Sequence, residues 1–324
     1  MNNTIKPTNR NILLDLFKII GACGIIAVHC GFLFDYSTLY NHMICNGLFR
    51  IAIPFFFCVN GFFLYDVIQK KNFKTWLKRI TILYAIWMLV YISFWIDPVM
   101  EKPFKIFSFL LFGFNHLWYL TALLVGGILL YALRNLSNKI LLILAITLYS
   151  LGFLIQNATN FEAFQIQSVL SKLINFSPIH RNFLCFALPF LSIGYVTKRK
   201  NLHHNFPKQK ALLFLITGII LLITETFLNH YFSSKASFNL SYSFIILSPS
   251  LLLAAYTFKT NINTKSKLLS AYSIALYLIH PMVIFLIISN FKITATLLTI
   301  ITIMVTSLAS YLIILLNKKL KYIL

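Results

Sequence analysis

Long apolar runs separated by short polar knots organise this chain. Inside the runs there is neither strict alternation nor a lasting polar face. A helix that is apolar nearly all round belongs in a membrane or a deep core. A hydrocarbon core about 30 Å thick takes about 20 helical residues. By that measure the pattern predicts ten spans, at residues 11–34, 43–65, 78–96, 117–134, 139–156, 182–197, 210–228, 242–258, 269–290 and 294–316. The stretch 104–114 (FKIFSFLLFGF) is too short to cross and is expected to lie along the interface. The fold class expected is all-α: one polytopic membrane helix bundle filling the whole chain.

Composition agrees. Of 324 residues, 59% are hydrophobic and only 11% charged, against about a quarter charged in soluble domains. The net charge of +21 could mean nucleic acid, but Lys and Arg would then line a soluble face. Here they cluster between apolar runs, so nucleic acid is excluded as a partner and anionic membrane lipid is expected. With the N-terminus cytoplasmic, the inside segments hold 20 of the 28 Lys and Arg and the outside segments 6, with Lys18 and Arg50 inside spans. That asymmetry follows the positive-inside rule, supports an even span count and places both termini in the cytoplasm. The expected location is a bacterial cytoplasmic membrane. Asp15 and Lys18 interrupt the first apolar run, so it reads as a retained span rather than a cleaved signal. The longest loop, about 157–181, is too short for a soluble catalytic domain. The five cysteines show no metal spacing and read as small apolar residues; no metal is expected.

The chemistry must then lie among the helices. The first span, LDLFKIIGACGIIAVHCGFLF, carries Asp15, Lys18 and His29. Lys18 and His29 are 11 residues apart, close to three turns, so they share a face about 16 Å apart along the axis. Asp15 precedes Lys18 by three positions and can pair with it. Arg50 sits about seven residues into the second span, near 10 Å deep, at the level of His29. An unpaired Arg there costs at least a few kcal/mol, so it should face the bundle interior. Pro54 and Gly61 can loosen that helix, and Asn60 adds a polar group. His116, Trp118 and Tyr119 open the fourth span, Arg181 the sixth, and His280 sits mid-span before Pro281. Each has a bland alternative. Lys18 can snorkel to headgroups, His29 and Arg50 can be structural, and Trp118, Tyr119 and Arg181 can anchor the interface. His280 can be a hydrogen-bonded histidine beside a proline kink. Intramembrane ionisable residues nonetheless default to function. Lys198–Lys200 with His203 and His204 reads as an ordinary cytoplasmic loop.

Five segments together resemble the acyltransferase 3 family of ten-span membrane acyltransferases: LDLFKIIGACGIIAVH, RIAIPFFFCVNGFFLY, HLWYLTALL, RNFLCFALPFLSIGY and SIALYLIHP. The resemblance implies transfer of an acyl group, commonly acetyl, from cytoplasmic acyl-CoA as donor substrate to a hydroxyl. The acceptor would be an envelope glycan or its lipid-linked precursor. The family signature of a basic residue, ten residues and His falls on Lys18 and His29, with Lys where Arg is commoner. The family's Ser-Gly falls on Asn60-Gly61. An Arg-x-x-Arg motif of one branch has no full match in KTWLKRITILYAIW. No esterase-like domain is appended, so a membrane-only member is expected.

The reading gives each residue an expected role. His29 is the general base and Arg50, or else Arg181, stabilises the oxyanion. Lys18, with Lys78 or Arg79, meets the phosphates of the donor. His116, Trp118 and Tyr119 face the acceptor, the two aromatic residues as flat surfaces for a sugar. Asp15, Asn60 and His280 support them. The rival is a membrane transporter or exporter of a small polar solute or polysaccharide. Ten spans with buried charges suit a carrier, though no matching halves are evident.

Overall fold

The computed structural model describes residues 11–161, 177–204, 206–232, 238–258, 267–320 and 322–324. Every regular element among them is helical. Leaving single turns aside, the helices are α1 (Ile12–Cys30), α2 (Thr38–Gln69), α3 (Phe73–Val90), α4 (Ile92–Glu101), α5 (Lys105–Phe112), α6 (Trp118–Leu133), α7 (Asn138–Asn160), α8 (Leu188–Arg199), α9 (Lys208–Phe232), α10 (Ser243–Thr257), α11 (Lys267–Asn290) and α12 (Ala295–Asn317). The predicted spans fall on helical stretches, some of them broken or bent. Seven are long and apolar enough to cross a bilayer: α1, α2, α7, α9, α12, the stretch Asn115–Leu133 containing α6, and Leu268–Asn290 of α11. The bent pair α3 and α4 makes an eighth if it counts as one span. α8 and α10 are shorter, so helix length supports seven or eight crossings among the described residues, not ten.

What the bundle shows to its surroundings is apolar. Ile143, Leu151 and Leu154 on α7, Leu213, Ile220 and Ile223 on α9, and Leu308 and Leu312 on α12 are exposed. Such a belt suits lipid rather than water. The chain is a multi-pass membrane helix bundle.

Two pairs of helices hold the interior together. α2 and α8 cross where Gly61 meets the Leu191 backbone carbonyl and Gly194 meets that of Cys58; a Cβ at either glycine would collide with backbone. Without a hydrophobic drive between helices in lipid, such close backbone approach supplies the association. α1 packs along α11, with Ala22, Ile26 and Cys30 buried against Leu276.

Several breaks in regular geometry point side chains inward. α1 starts on Asn11, whose side chain accepts from the Leu14 N–H at 3.1 Å and donates to the Ala255 carbonyl at 2.7 Å. It ends at Gly31, whose φ of 73° is the left-handed conformation glycine adopts freely. α2 is not regular throughout: a wide π turn (His42–Gly47) is followed by a tight 3-10 turn (Leu48–Ile51). Pro54 has no N–H for the Arg50 carbonyl four residues back, so the regular ladder can begin only after it. The third predicted span, 78–96, is not straight. α3 and α4 meet at 78°, because Tyr91 between them is drawn inward: it is 2% exposed and donates to the Leu278 carbonyl at 2.8 Å. The stretch 104–114 forms the short α5, with Phe107 and Leu110 exposed and Phe109 against the core.

Candidate active site

Two cavities follow α1, one at each end of its inner face. The upper, of about 70 Å³, is lined by His29, Arg50, His116, Trp118, Arg181 and Asn239 among others. The lower, of about 430 Å³, is lined by Asp15, Lys18, Asn60, Tyr119 and Tyr256 with many apolar neighbours. Tyr277 of α11 lines both and forms the wall between them.

The upper chamber gathers cations and imidazoles from five parts of the chain. His29, the next-to-last residue of α1, is the exposed member and lines the chamber. Arg50 leaves the 3-10 turn of α2 and donates to Asn239 Oδ1 at 2.7 Å and to Asn46 Oδ1 at 3.1 Å. Arg181 donates to the same Asn239 oxygen at 3.5 Å and lies 4.9 Å over the Trp118 ring. Its place is set by Asn182. That side chain caps the following π turn by accepting from the Leu184 and Cys185 N–H groups at 2.8 and 2.9 Å, and donates back to Pro178 and Ile179. Asn239 is set in turn by Gln156, 1% exposed, whose oxygen accepts from the N–H groups of Asn239 and Leu240 at 2.7 and 2.9 Å. One uncharged oxygen therefore bridges two guanidiniums that would otherwise repel.

Two imidazoles, His29 and His116, line the other side, with a third, His280, buried behind them. The His280 ring lies 5.1 Å from that of His29 and 5.4 Å from that of His116. His116, 2% exposed, puts Nε2 3.2 Å from the Leu278 carbonyl, and its own carbonyl accepts from the Tyr277 hydroxyl.

The lower chamber is quieter. Its volume falls in the range of about 300–1,000 Å³ usual for small-molecule sites. Lys18 pairs with Asp15 at 3.0 Å, both side chains largely buried, and lies 5.7 Å over Phe63. Asn60 donates to the Tyr119 hydroxyl at 2.8 Å.

The structure thus brings together His29, Arg50, His116, Trp118 and Arg181 above, with His280 behind His29. It places Lys18, Asp15, Asn60 and Tyr119 below. Two groups of expected site residues sit apart from, or are enclosed beside, the chambers. Lys78 and Arg79 line neither chamber: Ile80 and Leu83 are the α3 residues that do, both cations are exposed, and Arg79 reaches the Leu324 carbonyl at 3.4 Å. Trp118 and Tyr119 are not open platforms for a sugar. Trp118 carries Arg181 and stacks on Phe186 at 5.9 Å, and Tyr119 is enclosed by Phe57 and Asn60. Sequence reasoning missed Asn46, Gln156, Asn239 and Tyr277. Only Asn46 had a signal, lying one helical turn before Arg50.

Outside the membrane, the connection after α8 holds a second basic cluster. Lys198 contacts Asp66 at 3.4 Å and His203 Nε2 at 3.5 Å. Burial, then the Lys198 and His204 charges, pushes the His203 imidazole down to about 4.

Fold and site define a polytopic membrane protein with a small polar chamber and a larger, mostly apolar one on either side of Tyr277. A family model described as an acyltransferase domain matches residues 11–316. The chain belongs to this acyltransferase 3 family. An "amino-acid racemase" of Enterococcus faecalis is 26% identical over 84% of this chain and 40% of its own length. A "serine/alanine racemase" of Enterococcus gallinarum is 26% identical over 68% of this chain and 34% of its own. The chain thus spans less than half the length of these curated relatives. No solved structure matches it.

Proposed function

We propose that the protein moves an acyl group, acetyl by preference, from acyl-CoA to a hydroxyl of an envelope glycan or lipid-linked sugar at a bacterial cytoplasmic membrane. The observation that carries this reading is the joint placement of His29, Arg50 and Arg181 in one chamber, with Lys18 in a second chamber across Tyr277. With the N-terminus in the cytoplasm, the lower chamber, at the Lys18 end of α1, faces the cytoplasm and takes the thioester arm. Lys18 meets the donor's negative charge. In the upper chamber His29 takes the proton of the acceptor hydroxyl as its oxygen attacks the thioester carbon. The oxyanion formed is met by Arg50 and Arg181, which Asn239 holds side by side. Collapse breaks the C–S bond, and His29 returns the proton to the departing sulfur. Purified protein given labelled acetyl-CoA and envelope extracts should transfer label to a glycan or lipid fraction. Absence of labelled product, with the protein intact in bilayers, overturns the reading.

A second reading is a carrier of a small polar solute, and the relatives' names offer serine as a solute to try. The chambers on either side of Tyr277 would then be the two halves of a path. Counterflow of labelled serine without any acyl transfer would favour it.

A further inference from the structure

Pro281 removes the N–H that would bond the Tyr277 carbonyl four residues back. His280 fills the vacancy: its Nδ1 lies 2.6 Å from that oxygen. A carbonyl only accepts, so Nδ1 carries the hydrogen, and in the neutral ring Nε2 is then a bare lone pair. His280 is fully buried, and its Nε2 has no hydrogen-bond partner among the described residues. His116 is fixed the same way by the Leu278 carbonyl, which leaves its Nδ1 bare. Of these two rings, His280 is the one packed on His29, with centres 5.1 Å apart and planes tilted by 43°. A hydrogen bond between imidazole nitrogens about 2.9 Å apart sets the ring centres roughly 5 Å apart. The centroid spacing is compatible with such a bond, which a reorientation of the His29 ring would complete.

We propose that His280 is the positioning residue of His29: its bare Nε2 accepts the His29 N–H once substrates fill the upper chamber. This rests on the acyl-transfer reading. The pair then fixes which His29 nitrogen is the base. The other His29 nitrogen, unprotonated, takes the hydroxyl proton, and the resulting imidazolium keeps its second N–H on His280. When the C–S bond breaks, His29 gives the proton to sulfur. His280 neither gains nor loses a proton. A helix interrupted by proline thereby converts its own lost backbone hydrogen bond into an oriented acceptor for the neighbouring base.

The test uses the full protein in membrane vesicles that carry its natural acceptor, with release of free thiol from acetyl-CoA as the kinetic readout. His280→Leu removes the acceptor and is expected to lower kcat by about 10- to 100-fold, as loss of an orienting partner does elsewhere, with the donor KM unchanged. His280→Gln, which can offer an amide oxygen near the Nε2 position, should recover much of the loss. Should the leucine variant fail to insert, His280→Asn, too short to reach, replaces it. In parallel, 15N-histidine spectra in nanodiscs with acetyl-CoA should show His29 as one tautomer in the parent protein and a mixture in the variant. Equal turnover, or an unchanged His29 tautomer, overturns the proposal. If the parent protein releases no thiol, the acyl-transfer reading fails, while the tautomer comparison still decides whether His280 orients His29.

Discussion

The two chambers differ in what they ask of their side chains. The upper one is small, and its polar groups are interlocked: Asn239 ties Arg50 to Arg181, and carbonyls of α11 fix His116 and His280. The lower one is about six times larger and mostly apolar, with one ion pair, Lys18 to Asp15, near its end. The first arrangement suits charge that develops and vanishes during reaction, where preorganised dipoles count most. The second suits a long flexible ligand held by contact area. Damage above should therefore appear in turnover, and damage below in donor affinity.

The largest effect is expected where the chambers are built. Gly61→Val forces α2 away from the Leu191 backbone and should abolish folded, inserted protein; fluorescence-detected gel filtration of tagged protein reads this directly. Next, His29→Ala should lower turnover by about 10²–10⁴-fold, the usual weight of a general base, with a donor KM within a factor of two in steady-state assays. Arg50→Met should cost about 10²–10³-fold in kcat, as loss of an oxyanion donor does, with a smaller loss for Asn239→Ala because both guanidiniums remain. Lys18→Ala, below, should raise the donor KM by about tenfold, the weight of one charge-assisted contact, with kcat little changed. A fall in kcat for Lys18→Ala matching that for His29→Ala would erase the division of labour.

The smallest effect lies outside both. His203 has its folded value pushed to about 4, below the ordinary 6.5 of a free imidazole. It therefore contributes full stability above pH 6.5, and loses it as pH falls from there towards 4, because the unfolded chain binds the proton first. His203→Gln should flatten the fall of the thermal midpoint across that window relative to the parent, leaving turnover at neutral pH unchanged.

Much of this was legible in sequence, for definable reasons. Helix positions followed from apolar run lengths, since a bilayer imposes one ruler on every span. His29 and Arg50 stood out because an ionisable group in an apolar run is costly unless used. The bend at Tyr91 did not stand out: it depends on a hydrogen bond to Leu278, 187 positions along the chain. Asn239, Gln156 and Tyr277 are neutral polar residues, which carry no such penalty signal. That Lys78 and Arg79 line neither chamber was not legible, because loop charge tells the side of the membrane, not the helix face.

The glycine crossing of α2 on α8 has a consequence for motion. Those two helices carry, or directly follow, Arg50 and Arg181, and their backbones touch too closely to slide. α1 and α11 carry His29 and His280 and pack along each other. The guanidiniums thus belong to one tightly crossed pair of helices and His29 and His280 to another, and both pairs share one continuous core.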